Sequence, residues 1–342
     1  MRVTVPDYFD QFRCLAGDCP HTCCEKWEVV IDEETAALYG SVPGPLGEQL
    51  RRALVRDEEG DPCFALNGGK CPFLDADRLC RIHRELGEQA TSVTCREHPR
   101  FTEEYGPFRE ITLAVSCPAA NRLLLSSIEP LVFCTLETDE PEETGDPWLA
   151  GLLPLRERMI ALLQDRKRPL RCRLRDFLLL AEEAQHCLEE AREAELPALA
   201  ASWQPTAIPE TAGDEGRFLV RSLRLLASLE VLEEDWRTLL EQGETAVPEP
   251  VQEPLLERIA VYFAFRYLLK AVNDGDLLGR AQLCVFAVLV IQRLSAVCGL
   301  SEALRRFGCE IEHNEENLDA LLETFRWEEG LQLRDFLEAV SA

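Results

Sequence analysis

Eight cysteines in the first third of the chain fall in two bursts, and their spacing limits what this chain can fold into. The first burst is Cys14, Cys19, Cys23 and Cys24, in FRCLAGDCPHTCCEKW. The second is Cys71, Cys80 and Cys95, in CPFLDADRLCRIHRELGEQATSVTCREHPR, followed by Cys117 in SCPAA. A packed core does not need thiols at this density. Thiolates gathered from two separated loops are what a zinc ion or an iron–sulfur cluster takes as ligands. Gly17 and Pro20 keep the first loop turning, so several of its sulfurs can converge. The eight residues between Cys71 and Cys80 are a spacing that a hairpin closes. One site needs four ligands, so either two sites exist or some of the eight are not ligands.

Spacing alone does not name the metal. The paired CxxC knuckles of a zinc ribbon are absent. So is the CxxxCxxC of radical enzymes that bind S-adenosylmethionine, because after Cys19 and Cys23 its third position is Lys26. Sulfur-only ligation suits zinc and iron–sulfur alike. The total of 15 cysteines is odd, which argues against a full set of internal disulfides. The N-terminus, MRVTVPDYFDQF, lacks the apolar stretch of a signal peptide, so a cytoplasmic, reducing compartment is expected. The later cysteines, Cys172, Cys187, Cys284, Cys298 and Cys309, are scattered over helical segments and read as packing thiols.

A net charge of −26 serves solubility in the plainest reading, and it also bounds the electrostatic partners. Such a field repels nucleic acid and anionic membrane and attracts a cationic surface, including the lysines of a protein. No membrane span is expected either: the longest apolar candidate, LCVFAVLVIQRL, is interrupted by Gln292 and Arg293 and reads as a buried helix.

The expected fold class is mainly α, with an irregular cysteine-rich metal module packed on a C-terminal helical bundle. Residues 1–136 form the module, with short helices and one or two short strands. Helical spacing marks Thr35–Tyr39 and Leu46–Val55, and Cys71–His83 reads as a hairpin turning at Asp75–Asp77. The acidic stretch ETDEPEETGDP, residues 137–147, is a linker, and residues 148–342 form the bundle. Two strongly apolar segments, LLERIAVYFAFRYLLKAV and LLGRAQLCVFAVLVIQRLSAVCG, are expected at its centre, and a last helix is expected from about Asn314.

The runs DYFDQFRC with the first burst and KWEVVID, then CPFLDADRLCRIHRELGE, TCREHPR and SCPAA, resemble the flagellin lysine-N-methylase family of bacteria. The late segments YFAFRYLL and CEIEHNEENL are similar to that family's C-terminal half, so the resemblance runs from Tyr8 to about Leu318. The cysteine layout also resembles a broader group of small zinc- or iron-chelating bacterial domains. The family resemblance implies S-adenosylmethionine-dependent methylation of surface lysines on flagellin, with a cysteine-held [4Fe-4S] cluster and zinc as the alternative. It implies ligands among Cys19, Cys23, Cys24, Cys71, Cys80 and Cys95, with Cys14 and Cys117 as further candidates. No strand–GxGxxG–helix nucleotide site accompanies it: Asn67-Gly68-Gly69-Lys70 is a turn with no helix behind it.

Methyl transfer to an amine needs a neutral lysine, whose ordinary pKa is about 10.4. The candidates for a base or an orienting group are Glu310, Glu312 and His313, in CEIEHNEEN, although Asn314 there is also a good helix cap. Arg100 is the candidate for a cofactor carboxylate, and a structural salt bridge accounts for it equally well. Tyr8 and Trp27 flank the first burst and either shield a cluster or pack in a core. Two other functions fit the same residues. One is a non-enzymatic zinc- or iron-binding interaction module; the other is an iron–sulfur protein of electron transfer or maturation.

Overall fold

A helix that is apolar on every side has to lie inside the protein, and Leu277–Cys298 does. It is built from LLGRAQLCVFAVLVIQRLSAVC, and every residue from Ala281 to Ile291 is buried. Asp276 caps its start by accepting from the Gly279 N–H at 2.9 Å. Gly299, at φ +82, ends it in a conformation that costs glycine little. At 22 residues it is long and apolar enough to cross a membrane, but it forms the centre of the bundle instead. Gln292 and Arg293 lie within it and do not interrupt it; Arg293 reaches the Gly243 carbonyl at 2.7 Å.

The computed structural model describes residues 1–25, 29–57, 60–205, 207, 213–247 and 250–341. The fold is mainly α. The helices Leu149–Leu163, Leu170–Glu189, Glu215–Ser228 and Glu253–Tyr267 surround the central one. Glu253–Tyr267 starts with Pro254 in its first turn, where a missing N–H costs nothing, and is buried from Leu256 onward. Charges buried with it are paired: Glu257 meets Arg173 at 2.7 Å and Arg166 at 2.8 Å. The helix expected from Asn314 runs Glu315–Trp327, with Asn314 accepting from the Asn317 N–H at 2.9 Å as its cap. It is not the last, because Leu333–Ala339 follows.

The N-terminal third carries more sheet than its sequence suggests. Four strands, β1 (Arg2–Pro6), β4 (Arg100–Glu104), β5 (Phe108–Leu113) and β6 (Phe133–Glu137), form one sheet in the order β4-β5-β1-β6. β1 runs parallel to β5, with Val3 opposite Arg109, and antiparallel to β6, with Val3 opposite Leu136. A separate hairpin joins β2 (Leu54–Arg56) to β3 (Pro62–Phe64), so the helix expected through Val55 ends at Ala53.

Two hydrophobic cores result. The large one takes Tyr8, Phe108, Leu113 and Val115 from the sheet region together with the helices of the bundle. Arg156 secures that junction, donating to buried Glu110 of β5 at 2.6 Å, and Phe133 stacks on Phe265 at 3.8 Å between centroids. The small core is Ile31, Ala36, Tyr39, Val42, Leu46, Leu50, Phe64, Phe73, Ile82 and Ala90, with Cys71 and Cys80 packed against it.

Candidate functional site

The second cysteine burst is organised by local hydrogen bonds. Leu74 and Cys80 form an antiparallel bridge, and Asp75 Oδ1 accepts from the N–H groups of Asp77 and Leu79 at 2.9 Å each. This closes the expected hairpin around an Asx turn. Cys80 then caps the helix Arg81–Leu86, its sulfur 3.5 Å from the His83 N. That is where His83 acts: through its backbone, one turn into the helix. Ser92 caps Val93–Glu97 by accepting from the Cys95 N–H at 3.2 Å. Asp32 ties this helix to Glu33–Ser41, accepting from Val93 N and Thr35 N at 2.9 Å each.

The first burst meets the second through Cys24, whose carbonyl accepts from the Cys71 N–H at 2.8 Å. Upstream, Cys14 Sγ accepts from the Ala16 N–H at 3.3 Å, and Cys19 Sγ lies 3.0 Å from the His21 carbonyl. Gly17 is needed there, because a Cβ would sit 2.8 Å from the Asp77 carbonyl. Cys117 heads the helix Pro118–Leu124 on the large core.

The thiols share an electrostatic neighbourhood. Burial raises Cys71, Cys80 and Cys95, and Cys24 raises all three further. Burial raises Cys117, with Cys19 and Cys14 adding to it. Cys23 donates to Cys24, which raises Cys23 and lowers Cys24. Among the described residues no disulfide is formed. Nor, among them, do three His, Cys, Asp or Glu side chains converge closely enough to hold a metal ion as they stand. The donor set, all sulfur and mostly half-buried, fits zinc or an iron–sulfur cluster in kind. Trp27 lies outside the described residues.

The segment 308–313 reaches the residue beside Cys117. Gly308–Glu312 is a π-turn, a form that often marks functional sites. Glu312 is sealed inside: it accepts from Tyr262 Oη at 2.9 Å and Tyr267 Oη at 3.4 Å. Arg266 Nε lies 3.0 Å from Glu312 Oε1, a charge contact without an aligned N–H. Burial raises the Glu312 carboxyl even beside this arginine. Glu310 is also buried and accepts from Leu232 N at 2.9 Å and Glu233 N at 2.8 Å, pinning that loop. His313 is half-buried, with Nε2 2.6 Å from Ser116 Oγ, and Ser116 directly precedes Cys117. Phe101 lies 5.2 Å and His98 6.0 Å from the His313 ring, centroid to centroid. The three candidates of CEIEHNEEN therefore point into three different surroundings.

Arg100 on β4 lies over Phe9 at 5.8 Å and Phe12 at 5.6 Å, just before Cys14. Tyr8 is buried in the large core, and its hydroxyl has no hydrogen-bond partner among the described residues. Asn67–Lys70 is the expected turn, with Gly68 at φ +59 and Gly69 at φ +75, and it leads into Cys71 with no helix behind it.

Over 170 residues, 26% are identical to a lysine-N-methylase of Salmonella typhimurium, and the same holds for that of Salmonella choleraesuis. Over that part of its length this chain is similar to the lysine-N-methylases. The match spans 47% of this chain and 40% of each methylase, so under half of their length is represented. The flagellar biosynthetic protein FliU of Salmonella muenchen is 28% identical over 138 residues, 36% of this chain and 77% of FliU. No family model matches the chain, and no solved structure matches it significantly.

Beside the residues read from the sequence, the fold places Ser116, Tyr262, Arg266 and Tyr267 around Glu312 and His313. Arg266 had a signal: a lone arginine in the apolar run YFAFRYLL must find a buried partner. Ser116 had none, because its bond to His313 joins positions 197 residues apart.

Burial holds both histidines neutral, His98 down to about 4 and His313 down to about 3, with His98 and Arg266 adding to the latter. An unfolded histidine takes its proton near pH ~6.5. Below that pH the unfolded chain binds protons that the folded chain refuses. Stability contributed at neutral pH is therefore lost as pH falls from ~6.5 towards the folded values, by up to about 1.4 kcal/mol per pH unit per ring. Urea unfolding across this range is expected to show a shallower pH slope for His98→Gln and for His313→Gln than for the unchanged chain. Identical slopes in all three would show that these rings do not carry the effect.

Proposed function

We propose that this chain takes part in the S-adenosylmethionine-dependent N-methylation of lysines on flagellin, around a cysteine-held metal centre. The observation that carries the reading is the similarity to two lysine-N-methylases, supported by the flagellar name of FliU. The acidic surface, net −26, favours a lysine-bearing partner.

In this reading His313 is the catalytic candidate that can meet an amine, because it is half-buried while Glu310 and Glu312 are buried. Held neutral by burial, it offers a ring nitrogen that orients an uncharged amine without repelling it. Glu312 is a positioning residue: with Tyr262, Tyr267 and Arg266 it holds the turn that presents His313. Glu310 fixes the other side through Leu232 and Glu233. Arg100 is the candidate for the cofactor's carboxylate, being stacked on Phe9 and Phe12 beside the first burst. The cysteines would be the ligands of a [4Fe-4S] cluster, or of zinc as the alternative, and such a group would supply a Lewis-acidic metal. S-adenosylmethionine, when bound, supplies a methyl group on a sulfonium.

Co-expression with flagellin followed by peptide mass spectrometry tests the reading. Lysine peptides heavier by about 14 Da per methyl group are expected, and reduced to a tenth or less with His313→Ala at unchanged metal content, as for loss of one positioned acid–base group. Unmodified flagellin beside a metal-loaded chain would leave a metal-binding interaction module instead.

A further inference from the structure

The cover of the four-stranded sheet stops one strand short. Val3 and Val5 of β1 are buried, but Leu136 and Cys134, their partners across the ladder on β6, are exposed. Side chains alternate along a strand, so Val132 shares that face, and it is 55% exposed beside Leu136 at 51%. β6 is also an edge of the sheet, with no strand on its outer side among the described residues. The ladder shows which backbone groups that edge offers. The Asp7 N–H donates to the Val132 carbonyl and the Thr138 N–H to the Met1 carbonyl, each at 2.9 Å. Even-numbered residues of β6 therefore turn their backbone towards β1. Pro6, which has no N–H to give, falls opposite Phe133, as this phase requires. The N–H and C=O groups of Phe133, Thr135 and Glu137 consequently face outward, where one more strand can pair with them.

Charge selects that strand. Exposed Glu129 lies ahead of β6, and the run 137–146 holds six acidic residues and no lysine or arginine. This run crosses one end of the sheet, where the Glu143 N–H donates to the Gly106 carbonyl at 3.1 Å. Three cations stand nearby. Arg2 is opposite Glu137, the Met1 amine donates to the Thr138 carbonyl at 3.1 Å, and Arg109 is shared by Glu140 at 3.3 Å and Glu104 at 2.7 Å. They leave the acids in excess. A second copy would bring the same acids to the same edge, on a chain of net −26, and like charges there oppose pairing. An extended segment with apolar side chains at alternate positions and lysines at its ends matches the edge in backbone, face and charge.

We propose that β6 is a docking edge on which a lysine-bearing protein adds one strand to the sheet. The added strand pairs with the outward backbone of Phe133, Thr135 and Glu137. Its apolar side chains continue the face of Cys134 and Leu136, and its flanking lysines meet Glu129 at one end and Glu137 and Asp139 at the other. This rests on the lysine-bearing partner of the functional reading, and not on the metal or on methyl transfer.

The full chain is titrated at low salt against the fluorescent peptide KKVTVTVKK, and binding is read by anisotropy. Binding is expected, together with slowed amide exchange across residues 131–138. The peptides EEVTVTVEE, with reversed charge, and KKVTPTVKK, with a proline in the strand, are expected to bind at least about tenfold more weakly. In the chain, Thr135→Pro removes an outward N–H but no bond to β1, and Leu136→Lys sets a cation on the apolar face. Each is expected to weaken binding about tenfold or more, the scale of a lost edge hydrogen bond or a repelled lysine. Urea unfolding checks that each variant folds; should Thr135→Pro not fold, Leu136→Lys decides. Binding that neither variant changes, or that slows no exchange across 131–138, overturns the proposal, and so does the absence of binding by the folded chain. A dimer that Thr135→Pro dissolves gives the edge to a second copy and overturns it as well. Flagellin methylated equally by folded Thr135→Pro overturns the docking edge alone. Peptide docking without flagellin methylation supports the edge and removes only the methylase reading.

Discussion

Glu312→Ala is expected to cost about 3–5 kcal/mol of stability, the range for breaking one side of a buried ion pair. The carboxylate is the common partner of Tyr262, Tyr267 and Arg266, and its side chain is fully buried. Its loss leaves the guanidinium in a low-dielectric site, over the Phe101 ring at 3.4 Å, with two buried hydroxyls lacking their acceptor. Glu312→Gln keeps the shape and one acceptor oxygen, so it should cost less than Glu312→Ala. Adding Arg266→Met to Glu312→Ala should recover part of the loss, because the uncompensated charge goes too. Urea unfolding of the four proteins checks this as a double-mutant cycle. A Glu312→Ala loss under ~1 kcal/mol, typical of exposed pairs, would place the cluster in water.

Gly308→Ala should have the second-largest effect, about 1–3 kcal/mol, by overpacking rather than by loss of charge. A Cβ at 308 would stand 2.8 Å from Val115 Cγ2, 2.9 Å from Ser116 N and 3.2 Å from Glu312 Oε2. Two of these atoms belong to side chains, but Ser116 N is backbone and cannot rotate away. Relief means moving the π-turn off the end of β5, and that separates His313 from Ser116. Loss of stability should therefore come with loss of the 2.6 Å contact between His313 and Ser116. Gly40→Ala, in a helix with nothing within 4 Å of the added Cβ, is the control and should be neutral or mildly stabilising. Equal behaviour of the two variants would show that the close approach at 308 is not needed.

How far each part could be read from the chain follows from how local its cause is. The Asp75–Leu79 hairpin and the Asn314 cap each arise within a few residues, and both match the sequence reading. The two apolar segments also needed no partner to be recognised as core. The four-stranded sheet did not show itself, because β1 pairs with strands more than 100 residues away and each strand has only five or six residues. Gln292 and Arg293 looked like an interruption because periodicity cannot show that Arg293 finds the Gly243 carbonyl. The cluster at Glu312 draws on helix Glu253–Tyr267, the end of β5 and the π-turn, and only their packing brings these together.

The sequence by itself determined that thiols would crowd the N-terminal third, that a helical bundle would follow, and that the chain resembles the flagellin lysine-N-methylases. Residue type, spacing and apolar pattern carry that information along the chain. Only the tertiary structure decided that Cys71 and Cys80 rest on the small core and Cys117 on the large one, and that Glu312 is sealed while His313 is not. Those are matters of burial and of contacts across long sequence distances. They exist only once the backbone has folded and apolar surface has chosen its partners.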